Sequence, residues 1–164
     1  MMQVTRELLV RWEDPIPGAQ TLRALSGLEA IRAVRDGLVP PPPIAQLMGF
    51  TLAEVDEGRV VFEGTPGEQH YNPIGTVHGG FALTLFDSAL GCAIHTLLPS
   101  GVGYTTTDVQ VRFIRGLTKD TGPVRCEATA VHVGRSTAIA EAKLRDGTGR
   151  LLGTGTTACA ILRP

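Results

Sequence analysis

Aromatic side chains make up only 5% of this chain although 43% of it is hydrophobic, so small aliphatic residues have to fill its interior. Cysteine is scarce as well: Cys92, Cys126 and Cys159 are far apart, odd in number and set in apolar runs. That excludes a disulfide framework, fits reduced core thiols and points to the cytoplasm. An excess of charge of one sign is missing, with 15 Lys and Arg against 16 Asp and Glu and a net charge of −1. Non-specific nucleic-acid binding needs a broad basic surface, so no nucleic-acid partner is expected; a local basic patch for a phosphorylated ligand stays compatible with this balance. No continuous apolar run opens the chain, because Glu7, Arg11, Glu13 and Asp14 interrupt its first residues, and no export signal is read there. The longest apolar run, Phe81 to Leu98, is broken by Asp87 and His95, which makes it a buried helix rather than a membrane span. The four histidines lack HxxxH and HExxH spacing and the cysteines lack CxxC, so neither a metal site nor a cofactor is expected; GxSxG and P-loop patterns are missing too.

What is present is enough sequence for one well-buried core and too little for two. "TLRALSGLEAIRAVRDGL" sets Leu22, Leu25, Leu28, Ile31 and Val34 at helical spacing, which predicts one amphipathic helix over 21–38 with Thr21 as N-cap and Gly37 as its stop. The prolines at 40–43 should form a stiff extended connector. Residues 1–46 therefore read as a helical extension with a Pro-rich connector, and 47–164 as the domain proper. From Phe50 two short strands flank a turn at Asp56 to Gly58. After the apolar helix, "YTTTDVQVRFIRG" alternates, with Val109, Val111 and Phe113 on one face and Gln110 and Arg112 on the other. Three more strands, within 124–134, 136–146 and 150–162, are separated by the glycine turns "GRS" and "DGTG". Strand, strand, helix and four strands joined by short turns predict an α+β fold, one long helix packed on one curved sheet.

The stretch "YNPIGTVHGGFALTLFDSALGCAI" raises the chemical question. An ionised carboxylate within a core helix costs several kcal/mol unless it is paired or partly solvated. Asp87 either faces solvent, caps a kink or serves a site. "HGG" precedes the helix, and its first-turn amides, unpaired within the helix, suit an oxyanion. His78 and Asp87 are nine residues apart, on opposite sides of one helix and about 13 Å apart along it. Gly79 and Asp87 are about 12 Å apart by the same rise, so one reacting carbonyl cannot touch both in one subunit. If both serve one site, that site spans two chains related by a two-fold axis.

Asn72, "GTVHGG" at Gly75 to Gly80, Asp87 nine residues after His78, and the following "TTTDVQVRF" resemble the phenylacetate-degradation branch of the hotdog-fold acyl-CoA thioesterases, over roughly residues 47–162. The resemblance implies a long central helix wrapped by a mostly antiparallel sheet, in dimers that join their sheets edge to edge and often pair into tetramers. It implies an acyl-CoA substrate, with Asp87 as nucleophile or as the general base that activates water, and the Gly79 amide as oxyanion donor. Asn72 would position water or substrate, Thr106 would orient the water, and His78 would belong to the turn with a catalytic contribution open to it. "TTT" leaves the Thr106 register open by one residue. "HVGRST" resembles the turn that meets the coenzyme A phosphates, with Gly134, Arg135 and Ser136 as contacts; Gly80 joins the substrate-binding set, and Arg112 and Arg115 are secondary phosphate partners. Phe81, Leu83 and Leu85 are candidates for the acyl pocket, and the N-terminal helix for capping a pocket or widening an interface. Three alternatives differ in kind. A hydratase lacks support, because His70 and Gly75 stand where its Asp and His would be. A non-catalytic acyl-CoA sensor or regulator, or a partner-binding protein in which Asp87 tunes an interface, would bind without turnover.

Overall fold

The computed structural model describes residues 4–164. In chain order these form α1 (Pro15–Arg23), α2 (Gly27–Arg35), α3 (Pro43–Met48), β1 (Phe50–Asp56), β2 (Arg59–Gly64), α4 (Gly79–His95), β3 (Gly103–Phe113), β4 (Val124–Val133), β5 (Thr137–Asp146) and β6 (Leu151–Leu162). The strands make one antiparallel sheet in the order β1-β2-β4-β5-β6-β3, which leaves β3 and β1 at its edges. No helix among the described residues is long and apolar enough to cross a membrane.

The predicted helix over 21–38 is two helices. Thr21 lies inside α1, its hydroxyl donating to Pro17 O, and the cap of α1 is Asp14, which accepts from Ile16 N–H. Pro15 and Pro17 fit a helix's first turn, where no internal N–H is needed. The second helix starts at Gly27 because Ser26 and Glu29 form a reciprocal capping box, which satisfies the first amides and ends the run from Thr21. Gly37, at φ 71°, lies just past the end of α2 as expected. The proline run also differs from the extended connector predicted: Pro43 opens α3, which ends at the left-handed Gly49.

The extension is built into the body. Gly27 N–H donates to Leu98 O, Ser100 Oγ donates to Ala24 O, and Ala30 and Ile31 are buried beneath α2. Helix α4 packs on one face of the sheet with Phe81, Leu85, Phe86, Leu90 and Ile94 almost fully enclosed. The shortage of aromatics has a counterpart here. β5 turns Ala138, Ala140 and Ala142 inward, and a Cβ at Gly155 would come within 2.7 Å of the Phe86 ring. Small sheet residues let the strands close tightly around a helix of larger ones.

Alternation in β5 also carries Asp146 inward at its end. Its carboxylate accepts from Thr148 Oγ1 at 2.6 Å, from the Thr148 and Arg150 amides at 3.0 Å each, and from Arg150 Nε at 3.1 Å. The Thr148 hydroxyl, ahead of the Arg150 and Thr148 amides, holds its pKa down at about 2. A depressed folded-state pKa contributes stability that is complete above about pH 4 and is lost as pH falls toward 2. Asp146→Asn should therefore lower the urea midpoint at pH 6, and the gap from the native protein should narrow steadily between pH 4 and 2; a constant gap across that window refutes the assignment.

Candidate active site

The segment before α4 is a closed turn. Asn72 N–H donates to Thr76 O, Gly75 at φ 80° makes the reversal, and Tyr71 bridges to Val77. The Asn72 side chain is used inside this turn: its Oδ1 accepts from Ile74 and Thr76 N–H, and its Nδ2 donates to Thr76 Oγ1 at 3.1 Å. Nothing brings Asn72 to Asp87 of the same chain. His78 is the N-cap of α4, with Nδ1 accepting from Gly80 N–H at 2.8 Å, so the proton of the neutral ring sits on Nε2. The Gly80 amide is thereby occupied. Gly79 N–H has no partner among the described residues, and it opens on a small cavity of about 240 Å³ walled by Phe113, Ile114 and Leu117. A Cβ at 79 would lie 3.0 Å from the Phe113 ring, so a side chain there would press on that ring.

Asp87 is exposed on α4, and its Oδ1 accepts from Thr106 Oγ1 at 3.0 Å. Of the three consecutive threonines, Thr106 is the one whose hydroxyl meets Asp87. The cause is a β-bulge: Thr106 pairs with Cys159 and Asp108 with Ala158, so Thr107 is an extra residue, its hydroxyl donating to Ala158 O. One inserted residue switches the side-chain parity of β3. Tyr104 and Thr106 before the bulge and Val109 and Val111 after it all turn toward the helix, which strict alternation does not allow.

The two turns assigned to other roles lie at opposite ends of the sheet. Arg112 and Arg115 stand at the Gly79 end of β3, with Arg115 Nη1 bound to Leu151 O. The Gly134–Arg135–Ser136 turn lies at the His95 end: Gly134 N–H donates to Thr137 O, Ile161 N–H donates to Ser136 O, and Arg163 Nε donates to Arg135 O at 3.0 Å. Arg135 itself is exposed. Of the acyl-pocket candidates, Phe81 and Leu85 are sealed in the core, where Phe81 stacks on His70 at 4.5 Å; Leu83 is exposed. The core seals those two because the sheet wraps that side of the helix. Burial, ahead of the Asp87 charge, raises the Cys92 thiol to about 12, so it stays protonated at neutral pH. Sequence reasoning missed Arg163 and Tyr104, which carry no local pattern and matter only through what they touch.

Residues 74–152, which contain the glycine turn, α4 with Asp87, β3 with Thr106 and the Arg135 turn, match the thioesterase superfamily. Over that segment the chain is similar to the superfamily's members. It is similar to the 1,4-dihydroxy-2-naphthoyl-CoA hydrolase of Listeria monocytogenes, 26% identical over 110 residues that cover 66% of this chain and 87% of the relative. Among solved structures it resembles a phenylacetic acid degradation protein of Thermus thermophilus, with TM-score 0.66, 26% identity, and coverage of 75% of this chain and 100% of that one. A further neighbour, S. sahachiroi AziG, has TM-score 0.72 at 22% identity and confirms the fold, covering 75% of this chain and 98% of its own. The superfamily's hotdog architecture is the one built here: α4 on a six-stranded antiparallel sheet.

Proposed function

We propose that this protein hydrolyses acyl-CoA thioesters to a free acid and CoA, in sites that two copies of the chain complete together. The observation that carries the reading is the exposed Asp87, held by Thr106 at mid-helix while the unpaired Gly79 amide stands about 12 Å away on the same helix. With Oδ1 fixed by the Thr106 hydroxyl, Oδ2 is left to accept a proton from water. That water attacks the thioester carbonyl, the carbonyl oxygen takes up negative charge, and collapse of the tetrahedral species expels the CoA thiolate, which is protonated on leaving. A preorganised amide aimed at the oxyanion is worth a few kcal/mol in the transition state. The Phe113 and Ile114 side chains beside Gly79 keep that donor in surroundings of low polarity, where it acts more strongly.

Edge strand β3 supports the two-copy arrangement. Antiparallel pairing of β3 with its copy sets the Phe113 end of one strand beside the Tyr104–Thr106 end of the other, and so carries the partner's Gly79 toward Asp87. Exposed Leu83, Phe113 and Ile114 would be covered by the same contact. Pairing of such dimers into tetramers is part of the proposal, as is a thioesterase domain over 47–164 on which the extension acts. His78 and Asn72 have structural roles, holding the glycine turn so that the Gly79 amide points outward.

Release of CoA thiol from a panel of aryl, medium-chain and branched acyl-CoA substrates, followed together with sedimentation, tests this. Turnover of at least one substrate by a dimer or tetramer is expected. A strictly monomeric protein that still hydrolyses thioesters refutes the shared site; tight acyl-CoA binding without turnover on any substrate replaces the enzyme by the sensor.

A further inference from the structure

Of the cavities outside the Asp87 site, one lies where the N-terminal helix meets the body. It measures about 610 Å³, within the range of small-molecule sites, and opens between α1, the end of α4, and the start of β3 beside the end of β6. Its walls are largely apolar, with Leu22, Leu25, Val102 and Leu162 among them, and carry two arginines, Arg23 and Arg163. No Asp or Glu side chain lines it, in a chain where acids outnumber bases. Arg163 Nε is bound to Arg135 O, so the exposed Arg135 of the neighbouring turn adjoins the same opening. Arg23, Arg135 and Arg163 are among the arginines that have no carboxylate partner within the described residues, so their guanidinium groups are not neutralised by a neighbouring acid. The cavity also shares a seam with the carboxylate. Thr106 meets Asp87, Tyr104 lies over Gly91, and His95 reaches the cavity wall, about 12 Å along α4 from Asp87.

We propose that this cavity receives the 3′-phosphorylated nucleotide end of the CoA thioester, with Arg23 and Arg163 as phosphate partners and α1 as the wall that the base packs against. The inference rests on the thioesterase reading and extends it to two residues beyond the 74–152 match with the superfamily. Adenine is flat and largely apolar, and it suits the leucine wall. The phosphates around it need cations in fixed positions, and guanidinium groups give them paired N–H donors. The wall is rigid, because Gly27 and Ala24 are bonded to the loop after α4. The N-terminal extension then has a function: it makes hydrolysis selective for the full coenzyme over shorter thioesters.

The test compares one acyl group on CoA, on dephospho-CoA and on N-acetylcysteamine, in the full-length protein and in Arg23→Gln, Arg163→Gln and the double variant. Each single substitution should raise KM for the acyl-CoA about tenfold with kcat little changed, so that its kcat/KM advantage over the N-acetylcysteamine thioester falls about tenfold. Native protein should bind adenosine 3′,5′-bisphosphate in titration calorimetry, and the double variant should lose that binding. Unchanged KM for acyl-CoA, or equal losses on CoA and N-acetylcysteamine thioesters, overturns the assignment while leaving the thioesterase reading in place. Should no thioester be hydrolysed, that reading fails, and the bisphosphate titration alone decides the cavity: binding lost in the double variant upholds it, and no binding by the native protein removes it.

Discussion

Asp87→Asn should lower turnover of the best acyl-CoA substrate by about 10³-fold, the middle of the range that one positioned general base contributes, with fold and assembly intact. The substitution keeps the size of the side chain and keeps an oxygen that can accept from Thr106 Oγ1, so the geometry at mid-helix survives. What it removes is the oxygen that takes the proton from water. Asp87 is exposed in the single chain, and no core group depends on its charge, so thermal stability should change little. Steady-state rates, a melting curve and sedimentation on the same preparation check the prediction. A variant within tenfold of the native kcat removes Asp87 from the chemistry; a variant that is inactive because it unfolds or dissociates shows up in the other two measurements.

Gly27→Ala carries the largest expected effect on stability. The added methyl would lie 1.6 Å from His95 O, a backbone atom that cannot turn aside. Relief requires α2 to lift from the end of α4, which breaks the Gly27 N–H bond to Leu98 O and pulls on Ala30 and Ile31, buried in the interface. Overpacking against flexible side chains costs about 1–3 kcal/mol, and a backbone collision belongs at or above the top of that range, roughly 3 kcal/mol or more. For a chain of this size that is a fall of about 6–12 °C in Tm. The same displacement tilts α1 away from the cavity, so KM for acyl-CoA should rise before kcat falls. An unchanged melting temperature would show that the extension is not clamped to the domain.

The strands, their order along the chain and the central helix were legible because each has a period of its own. β5 reads as alternation ending at the turn "DGTG", and α4 reads as an apolar run with a glycine start. The break within 21–38 was written in the sequence as well: Ser26 and Glu29 stand at capping-box spacing, but the leucines run across the junction at helical spacing and mask it. The Thr106 register was not legible. A run of three threonines carries no phase, and the bulge at Thr107 that sets the phase arises from pairing with β6, some fifty residues away.

The cavity lies further still from anything local. Arg23, His95 and Arg163 come from the two ends and the middle of the chain, and they meet only because α1 docks on the end of α4 while β6 pairs with β3. Sequence by itself determined the strands and the central helix and singled out Asp87 and Gly79 as candidates for the proposed site, along with the reason they cannot meet in one subunit, because helix rise is a local quantity. Tertiary structure decided which threonine holds Asp87, that the Gly80 amide is taken by His78, and that two distant arginines border one cavity. Those facts depend on contacts between segments far apart in the chain, and no local period encodes them.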